Sequence, residues 1–311
     1  MSRATGRGYR VAYLQEVTPG TTPNTAPTIM RTTGGGMAFG ASTVESEEVQ
    51  LFEVPDVIRT NVEGTGTINF EYSYGTIHPF LENLMGAAFA TNVLRVGNTL
   101  RTMTIEDQFT DISRFLAARG CIIEAITITL AQGQKITGSI TYRALTPPTS
   151  FANATTFGTA PIAANTNPIL SPIGGVQLIQ ESGAVNLGAG GIGCLGFTIT
   201  LTRQGIQMPQ LGSTALAGLD QGTLVCTGTL SLYVTTGAGL ILDKYLSDTS
   251  TSLALTVGGA ASLRDAYLFS NVKFTEGGIG EMARNTPANL NLSWQALTSS
   301  PNTSVQVTRT P

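Results

Sequence analysis

His78 is the one histidine of the chain, so a Ser-His-Asp triad or a histidine-bearing metal site would have to be built on it. It stands directly before Pro79, where a helical pattern begins, and reads as a helix-start residue beside a first-turn proline. Gly188–Gly193 spell GAGGIG, formally a G-x-G-x-x-G dinucleotide fingerprint. That fingerprint works only when it follows a strand and opens a helix, because the helix N-terminus holds the pyrophosphate. Here a strand-like run, CLGFTITLT, follows it, so the stretch reads as a turn or loop. Glu106, Asp107 and Asp111 form a carboxylate cluster without the central glycine of a calcium loop, and read as a loop face turned to a neighbour. Cys121, Cys194 and Cys226 form no CxxC pair. They read as reduced, packed thiols, Cys121 and Cys194 each at a strand start. Walker, HExxH and EF-hand patterns are missing from the sequence. The residue types therefore imply no enzyme, no cofactor and no metal.

The elements that would carry these residues are mostly strands. Ile68, Phe70, Tyr72 and Tyr74 alternate with Thr67, Asn69, Glu71 and Ser73. Ile126, Ile128 and Leu130 alternate with Thr127 and Thr129, and Phe197, Ile199 and Leu201 with Thr198, Thr200 and Thr202. Leu290, Leu292 and Trp294 alternate with Asn291, Ser293 and Gln295. A period of two puts the apolar set on one face and leaves a hydroxyl- and amide-rich face opposite. One segment departs from this. Ile77, Phe80, Leu81, Leu84, Met85 and Ala88 recur at helical spacing and predict a helix over about 78–89, with a second over about 239–248. The fold class is mainly β (α+β).

Composition points away from a freely soluble monomer. Charged residues are 12% of the 311-residue chain while hydrophobic residues are 41%. So few charges leave little to repel a second copy, which favours a surface covered by neighbouring subunits. The net charge is −3 and the basic residues are scattered. Tight binding of DNA needs clustered Lys and Arg to displace counterions, so it is not expected. No run of about 18 apolar residues predicts a membrane span, and the N-terminal residues lack a signal-peptide core.

Residues 148–175, rich in Pro, Thr, Asn and Ala, read as a linker between residues 1–147 and 176–311. The two parts share a pattern. Thr65–Gly75 (TGTINFEYSYG) aligns without gaps to Thr227–Gly237 (TGTLSLYVTTG). The two helical segments follow in the same register, so that Phe80 meets Leu242 and Leu84 meets Leu246. Ile140–Thr146 (ITYRALT) then matches Leu292–Thr298 (LSWQALT). Strand, helix and closing strand recurring in order predict a tandem duplication.

Three further segments carry a family resemblance: Ser46, Glu48 and Val49; Val62, Gly64 and Glu71; and Thr104, Glu106, Phe109 and Asp111. With these the chain resembles the tail tube proteins of long-tailed, non-contractile bacteriophages, in particular those with two fused tube domains. The resemblance implies two tandem β-sandwich domains, each flanked by one short helix, forming stacked trimeric, pseudo-hexameric rings around a DNA channel. It implies self-association, contact with tape-measure, terminator and initiator proteins, assembly in the host cytoplasm and residence in the virion tail. The alternatives are another virion β-protein of the same broad class, a capsid decoration or tail terminator protein, and, from a different class, a secreted adhesin-like module. By the same resemblance, about 43–63 form a long hairpin reaching an adjacent ring. Its acidic Glu45, Glu47, Glu48, Glu53 and Asp56, which share the stretch with the single base Arg59, would pair with Arg3, Arg7 and Arg10 of a neighbour. Glu71, Glu124, Thr127 and Thr129 are the candidates for a neutral to negative channel wall that DNA passes without being held.

Overall fold

The structure, a computed structural model, describes residues 3–47, 53–183, 185–188, 190–213, 216–282, 284–299 and 303–311. It is mainly β, and every strand pairing is antiparallel. The first half runs β1 (Tyr9–Gln15), β2 (Thr28–Met30), β3 (Gly34–Glu45), β4 (Val57–Glu71), helix α1 (His78–Met85), β5 (Val93–Arg95), β6 (Met103–Phe109), β7 (Arg114–Ala131) and β8 (Thr137–Ala144). A single turn, α2 (Pro172–Gly175), leads into the second half. That half runs β9 (Val176–Glu181), β10 (Val185–Asn186), β11 (Cys194–Met208), β12 (Gly218–Tyr233), α3 (Thr236–Leu246), β13 (Thr251–Gly258), β14 (Arg264–Ile279), β15 (Asn289–Ala296) and β16 (Gln306–Thr310).

The wiring of the halves repeats. In the first, the pairs are β1·β2, β1·β6, β6·β7, β7·β8, β8·β4 and β4·β3. In the second, they are β9·β10, β9·β13, β13·β14, β14·β15, β15·β12 and β12·β11. Even the irregularities coincide. A bulge at Ile123/Ala125 against β8 has its counterpart at Phe274/Glu276 against β15. Gly66 and Gly228, equivalent in the repeat, each lie under an aromatic ring. A Cβ would come 2.2 Å from Tyr142 in the first and 2.4 Å from Trp294 in the second.

Alternation builds the core. Ile68, Phe70, Ile126, Ile128, Ile140 and Tyr142 of the first half, with Phe197, Ile199, Leu201, Leu230, Leu292 and Trp294 of the second, are buried in one continuous cluster. Helix α1 lays Phe80, Leu81, Leu84 and Met85 onto it. It stops sooner than the predicted 89, because Gly86 takes a left-handed conformation (φ 62°) and its N–H closes onto the Asn83 carbonyl. Helix α3 starts three residues before the predicted 239, where the Thr235 side chain caps the Ala238 N–H.

Two local expectations are corrected. Glu106 and Asp107 do not line a loop; they sit in β6 and are buried. The Glu106 carboxylate is satisfied by Thr155, the Thr156 N–H and Gln108. Cys121 lies within β7 rather than at a strand start. The linker of residues 148–175 packs along the first half: Ala152 bridges Phe115, Ile162 bonds Pro27 and Ile29, Leu170 bonds Tyr72 and Ile136, and Phe157 is buried. Low periodicity there reflects a segment held by its backbone groups, with few regularly spaced side chains.

Candidate functional site

The halves are joined by a strand seam inside the chain. β7 pairs with β11 from Ala125↔Thr202 to Ala131↔Gly196. The inner strands of both halves, β3, β4, β8, β7, β11, β12, β15 and β14, thereby form one run of neighbours. A second seam pairs the C-terminal β16 with β5 of the first half, Val307 opposite Leu94.

Polar contacts reinforce the joint. His78 Nε2 lies 2.7 Å from Asp265 Oδ1, and Tyr72 donates its hydroxyl to Asp265 Oδ2 at 2.7 Å. Tyr267 completes this buried cluster, 2.8 Å from the Tyr72 hydroxyl, and burial raises both phenols well above their usual range. The last turn of α1 leaves carbonyls without their full complement of helical N–H partners. Arg203 Nη1 donates to Leu84 O, and Gln221 Nε2 to Asn83 O at 3.0 Å, both from the second half. His78 is the helix-start residue its sequence context implied, and its partner, 187 positions away, was invisible to spacing.

Opposite the core, the inner strands carry a hydroxyl band: Thr65, Thr67, Ser139, Thr141, Thr127, Thr129, Thr198, Thr200, Thr227 and Ser231. The expected wall residues Thr127 and Thr129 are within it; Glu71 and Glu124 lie at its two ends. Each acid there has a basic partner. Lys135 Nζ is 2.6 Å from Glu71, and Arg143 holds Glu124 at 2.7 Å and Glu63 at 3.3 Å. The bond to Glu124 holds the Arg143 guanidinium charged, its pKa above the ordinary value. Glu63, Glu71 and Glu124 thus stand against Lys135 and Arg143, so the band and its ends are close to neutral.

β3 and β4 pair from Gly34↔Asn69 to Glu45↔Val57, and Glu45, Glu47, Glu53, Asp56 and Arg59 are exposed; Glu48 lies outside the described residues. Arg3 and Arg7 are exposed, whereas Arg10 donates to Gln108 at 2.6 Å. Among the described ion pairs within the chain, none joins these arginines to the hairpin acids.

Sequence reading passed over two edges. Among the described residues, β3 pairs with β4 alone, and from Lys273 to Ile279 β14 pairs with β15 alone. Both are poor in alternating side chains, with Gly34–Gly36 in one and Gly277–Gly278 in the other, so no periodic signal marked them. Unpaired edges of this length invite another strand.

A β-structured, assembly-forming subunit is the class these features define: two equivalently wired halves, a continuous inner sheet and open edges. The sequence profile described as phage tail tube protein matches residues 6–305, and the chain belongs to that family. It is a structural protein of the phage virion tail, which decides against the capsid-decoration, terminator and adhesin alternatives. No curated protein matches the chain. Among the described residues, no helix is long and apolar enough to cross a membrane.

Proposed function

We propose that the two halves are fused tube domains, residues 1–147 and 176–311, and that three chains close into a pseudo-hexameric ring whose inner strands enclose a DNA channel. The observation that carries this reading is the β7·β11 seam. One chain already contains a lateral junction between two equivalent units, so a ring needs only the same junction between chains, repeated until it closes. Closure also removes the sheet edges that a lone subunit leaves open. The rings stack along one axis through heterologous contacts, with the exposed acidic hairpin reaching the next ring.

In this arrangement the core face points outward to the helices and the hydroxyl band faces the channel. A wall of threonine and serine with internally paired charges offers DNA no free row of cations, so phosphates are not captured. The subunit meets tape-measure, terminator and initiator proteins at the ends of the tube. The work is passive. Cryo-electron microscopy of assembled tubes tests the reading directly: three chains per ring with the Thr127–Thr200 face toward the axis are expected. Six chains per ring, or that face turned outward, would refute it.

A further inference from the structure

We propose that the C-terminal part of β14 pairs antiparallel with β3 of the next copy of this chain, in the register that β7 and β11 use internally: Gly278 opposite Ala38 and Ile279 opposite Met37. This rests on the ring reading above and assigns its contact. The repeat fixes the register. The matched bulges make β14 the counterpart of β7, with Ile126, Thr127 and Ile128 equivalent to Gly277, Gly278 and Ile279. The pairings to Gly66 and Gly228 make β3 the counterpart of β11, with Ile199, Thr200 and Leu201 equivalent to Met37, Ala38 and Phe39. Transferring Thr127↔Thr200 and Ile128↔Ile199 gives the pairs named.

Exposure supports it. At the internal seam Ile128, Leu201 and Leu84 are each 0% exposed. Their counterparts Ile279, Phe39 and Leu246 are 46%, 52% and 71% exposed. The residue pattern that buries an apolar cluster inside the chain therefore recurs, uncovered, at its two ends. A second copy is the occupant, because β3 of one copy and β14 with α3 of another are the two sides of that one cluster. Arg59 falls into place as well. It is the counterpart of Gln221, which donates to the end of α1, and so lies at the C-terminal end of α3, where a cation suits the helix dipole.

Two cysteines test the register. Thr127 and Thr200 bring their hydroxyl oxygens to 3.5 Å, so cysteines at the equivalent sites are within disulfide reach. Both sites accept the change: Ala38 is exposed, and a Cβ on Gly278 meets nothing within 4 Å. The Ala38→Cys/Gly278→Cys protein, oxidised after tube assembly, is expected to run as covalent dimer and closed trimer on a non-reducing gel. The offset pair Gly36→Cys/Gly278→Cys is expected to stay monomeric. Tubes without cross-link, or cross-linking by the offset pair alone, would overturn the register while leaving the ring intact. A closed covalent hexamer would keep the register and overturn the trimer. Phe39→Asp serves should the cysteine protein not assemble. It is expected to melt like the parent as a monomer and to lose tube formation; normal tubes from it would overturn the contact.

Discussion

Asp265 shows how much one residue holds. Its carboxylate is fully buried and receives the Tyr72 hydroxyl and the His78 ring, both from the other half of the chain. Asp265→Ala strands those two groups without water, at roughly 1–3 kcal/mol for each partner left unpaired. The expected outcome is a cooperative urea transition shifted to lower denaturant, with Asp265→Asn shifted less. Asp107 makes a different prediction. Burial is the main cause that raises its pKa, outweighing the hydrogen bonds from Tyr9 and from the Met37 N–H. A carboxyl with a raised folded pKa binds more protons in the native state than in the unfolded chain. Its contribution is therefore most favourable in acid and is lost as pH rises from the ordinary carboxylate range through the folded value. Asp107→Asn is expected to flatten that part of a stability-against-pH curve; an unchanged slope would disprove the assignment. Neither role was legible in the sequence. Asp265 carries no motif, and Asp107 looked like part of a surface cluster, because a carboxylate's burial depends on strands that meet only in the fold.

Among the elements, the strands that could be read were those whose two faces differ. Alternating Ile and Thr in β7 and β11 records a core on one side and a polar band on the other, so both the strand and the band showed in the sequence. The edges of β3 and β14 did not show, since glycine-rich segments leave no period. Helix limits were off by a few residues because caps at Gly86 and Thr235 set them, not the apolar spacing. Gly66 is the element-level test. It lets β4 run beneath the Tyr142 ring, and Tyr142 is itself held in the core. Gly66→Ala places a methyl 2.2 Å from that ring, and β8 must shift to admit it. Overpacking of this kind costs about 1–3 kcal/mol. The same change at Gly228 meets both Trp294 and the Thr198 carbonyl, so it is expected to lower the melting temperature at least as far. If the two alanine variants melt like the parent, the strand-under-ring packing has been misjudged.

At the scale of the whole molecule, a low charge content and two exposed edges are the same fact seen twice. A surface meant to be covered by copies needs few charges, and 12% is enough for the parts left in water. In the proposed ring, the channel wall follows from this economy. Hydroxyls satisfy water and slide past phosphate without releasing counterions, whereas each cation added to the wall captures one phosphate at a time. Thr129→Lys with Thr198→Lys sets two lysines opposite each other across the internal seam, on strands that otherwise keep their pairing. Both side chains point away from the core, so tubes are expected to assemble normally. Virions carrying them should eject DNA more slowly, and raising the salt concentration should relieve the delay, since screening weakens phosphate contacts and leaves a steric obstruction untouched. A delay that salt does not relieve would place the obstacle in the shape of the wall rather than its charge. Ejection at the parental rate, from tubes shown to contain both lysines, would mean that the hydroxyl band does not face the DNA at all.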